Sequence, residues 1–414
     1  MRILVLNSGS SSQKCCVYDV NDGLPVDPPA PVWQGQISWE GGAAEIRIRN
    51  SAGAEVRERI EALPRPKATE RLLDNLWNGA AAATSGPSEI RVAGHRIVNG
   101  GTEYRAATFI TPAVKAAISR MAALAPLHNR AELEGIDLVE RKCGAIPQVG
   151  VFDTAFHSSL PAAASVYPGP YSWLEQGIRR LGFHGISHQY CAQRAARMLG
   201  KDVFALKIVT CHLGNGCSLA AIRDGQSVDT TMGFTPLEGL MMGTRSGSVD
   251  PGVLVYLLRQ RAMTPEQLDH QLNHESGLLG ISGLSSDMRQ ILTAMNQGHP
   301  RARLAFDIFV HRLTSGIGAM AAALGGLDAL VFTGGIGEHS PEVRAAACAS
   351  LEFLGVKIDS ARNAHPALDA DISSSDFPVR TLVVRAQEDW AIARECWAMV
   401  AAKGTPAGEA RNSG

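Results

Sequence analysis

Three observations predict an α/β fold in two domains. The chain has 414 residues, beyond the size at which a single core usually stops growing. One turn design occurs twice: Ile3-Leu4-Val5-Leu6 runs into Asn7-Ser8-Gly9-Ser10-Ser11-Ser12 and out through Cys15-Cys16-Val17-Tyr18, and Leu206-Lys207-Ile208-Val209 runs into His212-Leu213-Gly214-Asn215-Gly216 and out through Ser218 to Ile222. A third glycine turn, Thr333-Gly334-Gly335-Ile336-Gly337-Glu338, follows the apolar run Leu327 to Phe332 and precedes a helix opened by Ser340-Pro341-Glu342. Buried strands ending in glycine turns let a ligand approach backbone N–H groups, and phosphate is the natural guest.

The elements follow in order. Residues 3–7, 15–20, 32–39 and 44–49 read as a strand meander, alternating around Gly23-Leu24-Pro25 and Glu40-Gly41-Gly42. Lys14 follows a serine run and enters a strand, so the loop is not a Walker loop, which needs Gly-Lys-Ser/Thr before a helix. Helical periodicity covers 67–83, and 92–98 is a strand leading to Asn99-Gly100-Gly101. Thr111-Pro112 opens a helix running to about Ala125, stopped by Pro126. Residues 148–152 form the next strand, and a domain boundary falls near 150–155. Residues 189–199 read as a helix closed by Gly200, the helix from Ser340 runs through 350, and 382–384 is the last strand. A helix from Glu388 to about Ala402 precedes a tail, from Gly404, expected to fray.

Net charge is formally -1, from 39 basic and 40 acidic residues, which gives no reason to expect nucleic acid or an acidic membrane as partner. No transmembrane-length apolar run occurs, and a strand beginning just after Arg2 leaves no room for a leader, so a cytoplasmic location is expected. The eight cysteines form no CxxC pair and read as reduced packing residues rather than zinc ligands.

Isolated charged residues accompany the glycine turns. Small neighbours expose Arg245 within Met242-Gly243-Thr244-Arg245-Ser246-Gly247, and its planar fork suits a carboxylate or a transferring phosphoryl group; the competing reading is a turn arginine paired with Asp250. Arg96 lies near a strand end, where an ordinary edge arginine is the alternative. Asp153 ends a strand and Glu388 begins a helix, so both suit a hard cation, or else the loose amides of a helix start. His184, between Phe183 and Gly185, suits donation to developing oxygen charge or a buried tie to a carbonyl. His157, His188 and His212 have no metal-triad spacing and read as supporting residues.

The chain strongly resembles the acetate kinase family, within the sugar-kinase, heat-shock-protein and actin-like ATPase superfamily. The matching motifs are Leu6 to Ser12 with Lys14, Gly94 to Gly101, Phe152 to His157, Phe183 to His188, His212 to Gly216, Met242 to Gly247, Ser282 to Arg289 and Gly334 to Ser340. They span nearly the whole chain in the family's order.

The resemblance implies duplicated actin-like (ribonuclease H-like) α/β domains with mixed central sheets and a nucleotide cleft. Residues 1–152 with a returning helix at 387–403 would form the first domain, 153–386 the nucleotide-binding and dimerisation domain, and 404–414 a flexible tail. It implies magnesium-dependent (or manganese-dependent) transfer between ATP and acetate, giving acetyl phosphate and ADP, in a homodimer. Asn7, Ser10, Ser12 and Lys14 would lie near the phosphates or the metal, with Asn7, Asp153 and Glu388 as the metal set. Arg96 and Arg245 would grip the acceptor carboxylate and the transferring group, and His184 would stabilise that group. His212, Leu213, Gly214, Asn215 and Gly216 would face the phosphates; Asp287, Met288, Arg289, Gly335, Ile336 and Gly337 would line the nucleoside side. Val98, Leu127, Phe183 and Pro236 would enclose the acetate methyl.

Departures from the family pattern are Asn99 for His, His339 for Asn, Ser248 for Asp, and Ala386-Gln387-Glu388-Asp389 for a Thr-Asn-Glu-Glu run. A propionate or other short-chain acyl kinase is the nearest alternative, since one methylene changes pocket binding by only ~1–3 kcal/mol. A non-catalytic ATP-binding regulatory module is the other.

Overall fold

Two mixed α/β sheets organise the chain, each within its own compact unit. Unit 1 comprises Met1–Ala155 with Gln387–Gly414, and unit 2 comprises Phe156–Ala386. The computed structural model describes residues 1–9, 12–21, 23–40, 43–121, 126–367 and 369–404, without the side chains of 40, 126–128 and 404. Ser10, the end of the helix expected to reach Ala125, and the tail beyond 404 lie outside the described residues, as does the side chain of Leu127.

The sheet of unit 1 contains β1 (Arg2–Ser8), β2 (Ser12–Asp19), β3 (Trp33–Glu40), β4 (Ala43–Asn50), β5 (Glu55–Glu61), β6 (Ile90–Ile97), β7 (Thr108–Phe109) and β8 (Gln148–Phe152). Their order is β5-β4-β3-β2-β1-β6-β8-β7. The run from β1 to β5 is the antiparallel meander that alternation predicts, with β5 one strand beyond it, whereas β1, β6 and β8 are parallel. Burial explains the difference in composition: Ile3, Leu4 and Val5 are fully buried, as expected of a central parallel strand covered on both faces. The edge strand β5 reads Glu-Val-Arg-Glu-Arg-Ile-Glu, and its charges discourage further strand pairing.

The sheet of unit 2 contains β9 (Lys207–Leu213), β10 (Cys217–Arg223), β11 (Gln226–Thr230), β12 (Ala329–Thr333), β13 (Ala370–Asp371) and β14 (Arg380–Val383). Its order is β11-β10-β9-β12-β14-β13. An antiparallel run β11-β10-β9 continues into parallel β9, β12 and β14 and ends on antiparallel β13. This reproduces, strand for strand, the β3-β2-β1-β6-β8-β7 part of the first sheet.

Several helices differ from expectation. The helix expected over 67–83 spans only Arg65–Asp74, because Asn75 Nδ2 bonds back to the Arg71 carbonyl and the next N–H groups make shorter-range bonds. The apolar pattern continues, with Leu76 and Ala81 buried, but on turns. Pro126 opens the helix Pro126–Cys143 rather than merely ending its predecessor, since a proline at the first helical position loses no internal bond. The third glycine turn is itself a short helix, Gly334–His339, followed by Pro341–Cys348, which stops two residues short of 350. Unit 2 also holds Pro251–Gln260, Pro265–His274 and the 25-residue Pro300–Leu324, whose buried face includes Phe306, Phe309, Leu313 and Ile317.

The last helix, Glu388–Gly404, packs on β1, β6 and β8 of the first sheet. Closeness is set at Gly94 of β6, where any Cβ would lie 2.5 Å from Cys396 Sγ and 2.6 Å from Ile392 Cγ2. No helix among the described residues is long and apolar enough to cross a membrane.

Candidate active site

In unit 1 the parallel strands deliver three predicted residues to one place, and the last helix adds a fourth. Asn7 is next to last in β1, Arg96 is next to last in β6, Asp153 directly follows β8, and Glu388 starts the last helix. The carboxyl ends of parallel strands are where open α/β sheets bind ligands. Arg96 donates from Nε (3.0 Å) and Nη2 (2.5 Å) to Asp153 Oδ2, and from Nη1 to Asn7 Oδ1 (3.4 Å) and the Ser8 carbonyl (3.3 Å). Asn7 Nδ2 donates to Glu388 Oε2 (3.1 Å) and Asp389 Oδ1 (2.8 Å). Asp153 is fully buried, so its charge depends on this network. Burial alone would lower the Arg96 pKa, but the fields of Asp153 and Glu388 and the bond to Asp153 raise it, fixing the guanidinium as a cation.

Asn7, Asp153 and Glu388 offer oxygen donors only. Few carboxylates with retained waters are what magnesium takes beside phosphate, so the donor set fits that ion. Among the described residues no three His, Cys, Asp or Glu side chains gather into a metal-holding group. Ser12 opens β2, and Lys14 is exposed on β2 in register with Asn7.

Glu132 went unnoticed in the sequence. It is buried on the helix Pro126–Cys143, and its Oε1 accepts the Val98 N–H at 3.0 Å. Burial pushes its carboxyl up to about 8, opposed by the Val98 N–H and Arg96 and reinforced by Asp153. The available signal was a Glu sharing helical spacing with core residues Ile136 and Val139. His95, beside Arg96, is tied to Gln148 at 2.6 Å, and burial lowers its pKa to about 4.

In unit 2 the doubled turn lies beside His184 and Arg245. A Cβ at Gly216 would lie 2.5 Å from Arg245 Nη2 and 3.4 Å from both Cε1 and Nε2 of His184, so only a glycine lets these groups crowd the turn. Arg245 Nη1 donates to the Pro236 carbonyl at 2.5 Å. Pro236 thereby anchors the arginine, a role the sequence did not suggest. Asp250, the alternative partner for Arg245, caps the helix Pro251–Gln260 by accepting from the Gly252 N–H at 2.8 Å.

His184 adopts the left-handed region, φ 56°, immediately before the helix Gly185–Met198, and its ring stacks on His212 with centroids 4.2 Å apart. Its Nδ1 lies 2.8 Å from Ser218 Oγ. His212 Nδ1 is 2.8 Å from Ser187 Oγ. His157 is buried, bonded to Ser227 and the Phe183 carbonyl, and burial lowers its pKa to about 4.

The other phosphate and nucleoside candidates also fall in unit 2. Leu213 ends β9, the Gly214 N–H donates to the Gly216 carbonyl at 2.9 Å, and the Asn215 carbonyl accepts the Gly243 N–H at 3.0 Å. Gly243 also approaches the Ser286 carbonyl, placing Asp287, Met288 and Arg289 near that loop. Asp287 caps the helix Met288–Asn296 and pairs with exposed Arg289, while Met288 is buried. Gly335, Ile336 and Gly337 lie in the short helix after β12, with the Gly337 carbonyl bonded by Arg344. Of the methyl-pocket candidates, buried Val98 belongs to unit 1, and buried Phe183 and half-buried Pro236 to unit 2.

The profile of the acetokinase family matches residues 2–394. The acetate kinase of Cyanothece sp. is 56% identical over 402 residues, covering 97% of this chain and 98% of the relative; that of Gloeobacter violaceus is 56% identical over 400 residues, covering 96% and 99%. Among solved structures, Porphyromonas gingivalis acetate kinase superposes with a TM-score of 0.87 at 38% identity, covering 96% of this chain and 99% of the other. A propionate kinase from Francisella tularensis gives 0.86 at 34%, with the same coverage.

Proposed function

Since the chain belongs to the acetokinase family, a phosphotransferase family of the actin-like ATPase superfamily, we propose that it is an acetate kinase, moving the γ-phosphoryl group of ATP to acetate and, in reverse, making ATP from acetyl phosphate and ADP. One observation carries the reading beyond family membership: Asn7, Arg96, Asp153 and Glu388 form one bonded constellation at the parallel strand ends of unit 1. The repeated strand order supports two duplicated actin-like domains. In this reading unit 1 is the acyl-kinase domain, completed by the returning helix, and unit 2 is the nucleotide-binding and dimerisation domain.

The chemistry follows from charge. Acetate is ionised at neutral pH, so its oxygen needs no general base. The difficulty is repulsion between an anionic nucleophile and an anionic phosphoryl group. Arg96, held as a cation by Asp153, grips the acceptor or the transferring group from unit 1. Arg245 and His184, crowded together by Gly216, meet developing charge from unit 2. Asn7, Asp153 and Glu388 would hold magnesium, or manganese in its place, which when bound supplies charge neutralisation on the phosphate oxygens. The family likeness assigns Ser12 and Lys14 of unit 1 and the loop His212 to Gly216 of unit 2 to the phosphates, and Asp287 to Arg289 and Gly335 to Gly337 to the nucleoside. For the acetate methyl, the family likeness points to Val98 in unit 1 and to Phe183 and Pro236 in unit 2.

No residue of these constellations is built as an activated nucleophile, so transfer proceeds by one in-line displacement. A chiral phosphoryl centre then inverts, and retention would refute a single step. Side-by-side turnover with acetate, propionate and butyrate tests the acceptor. Acetate gives the highest kcat/KM; a preference for propionate would favour the second reading, to which the likeness to a propionate kinase lends support.

A homodimer forms through unit 2. Its helix Pro251–Gln260 has no buried residue and exposes Val253, Val255, Tyr256 and Leu258, and such a contiguous apolar face suits a partner surface.

A further inference from the structure

Behind His184 runs a chain of buried hydrogen bonds that the proposed transfer does not itself require. Ser218 Oγ lies 2.8 Å from His184 Nδ1 and 2.8 Å from His188 Nε2. His188 Nδ1 in turn lies 2.7 Å from Thr210 Oγ1. Thr210, Ser218 and His188 are all fully buried, so water does not adjust these bonds. Each hydroxyl holds one proton, so the direction of donation at one end fixes it at every later link.

The far end sets that direction. Thr210 Oγ1 has His188 Nδ1 as its only hydrogen-bond partner among the described residues. If His188 Nδ1–H donated to Thr210, the threonine proton would be buried without an acceptor, a costly state. If Thr210 donates to His188 Nδ1, every proton in the chain has an acceptor. His188 Nε2–H then donates to Ser218 Oγ, and the Ser218 hydroxyl donates to His184 Nδ1. Burial lowers the His188 pKa well below the ordinary value, with the neighbouring His157 and His212 acting in the same sense, so one neutral His188 serves throughout.

We propose, building on the kinase reading, that Thr210, His188 and Ser218 are positioning residues that lock His184 in its Nε2–H tautomer, so that it donates to the transferring phosphoryl group as a neutral imidazole. Geometry at the other end of the ring agrees. With Nδ1 committed to Ser218, the Cε1 and Nε2 edge is the one nearest Gly216, beside the Arg245 guanidinium. A second cation there would be repelled by Arg245, whereas a neutral N–H adds a donor without adding charge. The groups facing this chain are His212, stacked on His184, His157, edge-on to His188 at 5.7 Å, and Arg180, whose charge acts on His157.

The test reads the tautomer directly, by 15N NMR of the histidine-labelled full-length protein. In the wild type, His184 Nε2 carries the proton and Nδ1 is an unprotonated acceptor, with no change from about pH 6 to about pH 8. A proton on Nδ1, or titration of His184 to imidazolium within that range, would overturn the proposal. In Ser218→Ala the lock is gone: a fraction of His184 carries its proton on Nδ1, kcat falls about tenfold, and the KM for acetate stays within about twofold. Ser218→Thr restores the locked tautomer. Unchanged His184 signals in a folded Ser218→Ala protein would equally overturn it, and if that variant does not fold, Thr210→Val breaks the chain one link further out with the same readout. A wild type with the locked tautomer but no transfer between ATP and acetate would overturn the kinase reading alone.

Discussion

Replacing Glu132 by glutamine isolates the energetic consequence of one buried acid. The side chain keeps its shape, and an amide oxygen still accepts the Val98 N–H. In the folded protein the carboxyl is pushed from 4.5 up to about 8. Its pKa is therefore higher folded than unfolded, so the native state binds the extra proton. The favourable state is fully present below about pH 4.5 and is lost as pH rises through about 8. Between those limits, wild-type stability falls relative to the variant by roughly 1.4 kcal/mol per pH unit, with a ceiling of roughly 5 kcal/mol. Groups common to both proteins cancel in this difference. Urea unfolding read by tryptophan fluorescence reports on the correct unit, because Trp33, Trp39, Trp77, Trp390 and Trp397 lie in unit 1 and only Trp173 in unit 2. Glu132→Gln should match the wild type near pH 5 and exceed it by several kcal/mol near pH 8. Parallel stability curves across that interval would refute the buried neutral acid.

Three further outcomes are expected. Arg245→Ala should lower kcat at least tenfold, about 1.4 kcal/mol of transition-state stabilisation, with an unchanged circular dichroism spectrum; a smaller loss in steady-state assays would remove Arg245 as a charge clamp. Asp153→Asn should raise the magnesium concentration needed for half-maximal activity. Because it strands Arg96, it should also cost about 3–5 kcal/mol in denaturant titrations; unaltered magnesium dependence would take Asp153 out of the metal site. Tyr256→Asp should yield monomers in light scattering, and a persisting dimer would place the interface elsewhere.

The sequence was most readable where period and punctuation agree. Ile3 to Leu6 and the run through Ile208-Val209 lead into polar glycine turns, and both fall on central strands. Pro126 shows the limit: one proline is equally a stop and a start, and only the packing of Ile136 and Val139 against the sheet decides. Asn75 shows another, since Leu76 and Ala81 keep an apolar pattern on turns that a periodicity reading extends as helix. At the site, Arg96, Asp153 and Glu388 each looked ambiguous alone, because a charge at a strand end or helix start also serves local caps and pairs. Their convergence depends on β1, β6 and β8 being parallel neighbours, and strand pairing across so many residues has no local signature. The Pro236 carbonyl behind Arg245 was invisible for the same reason, being a backbone group whose use depends on how a loop closes.

The helix that covers β1 and β6 is made from residues that follow the whole of unit 2 in the chain. Synthesised from its amino terminus, the chain must keep one apolar side of its first sheet bare until Ile392 and Cys396 leave the ribosome, long after unit 2 has been made. Premature termination near residue 387 would therefore remove Glu388 and also leave unit 1 with a sticky flank, turning an inactive fragment into a substrate for chaperones and proteases.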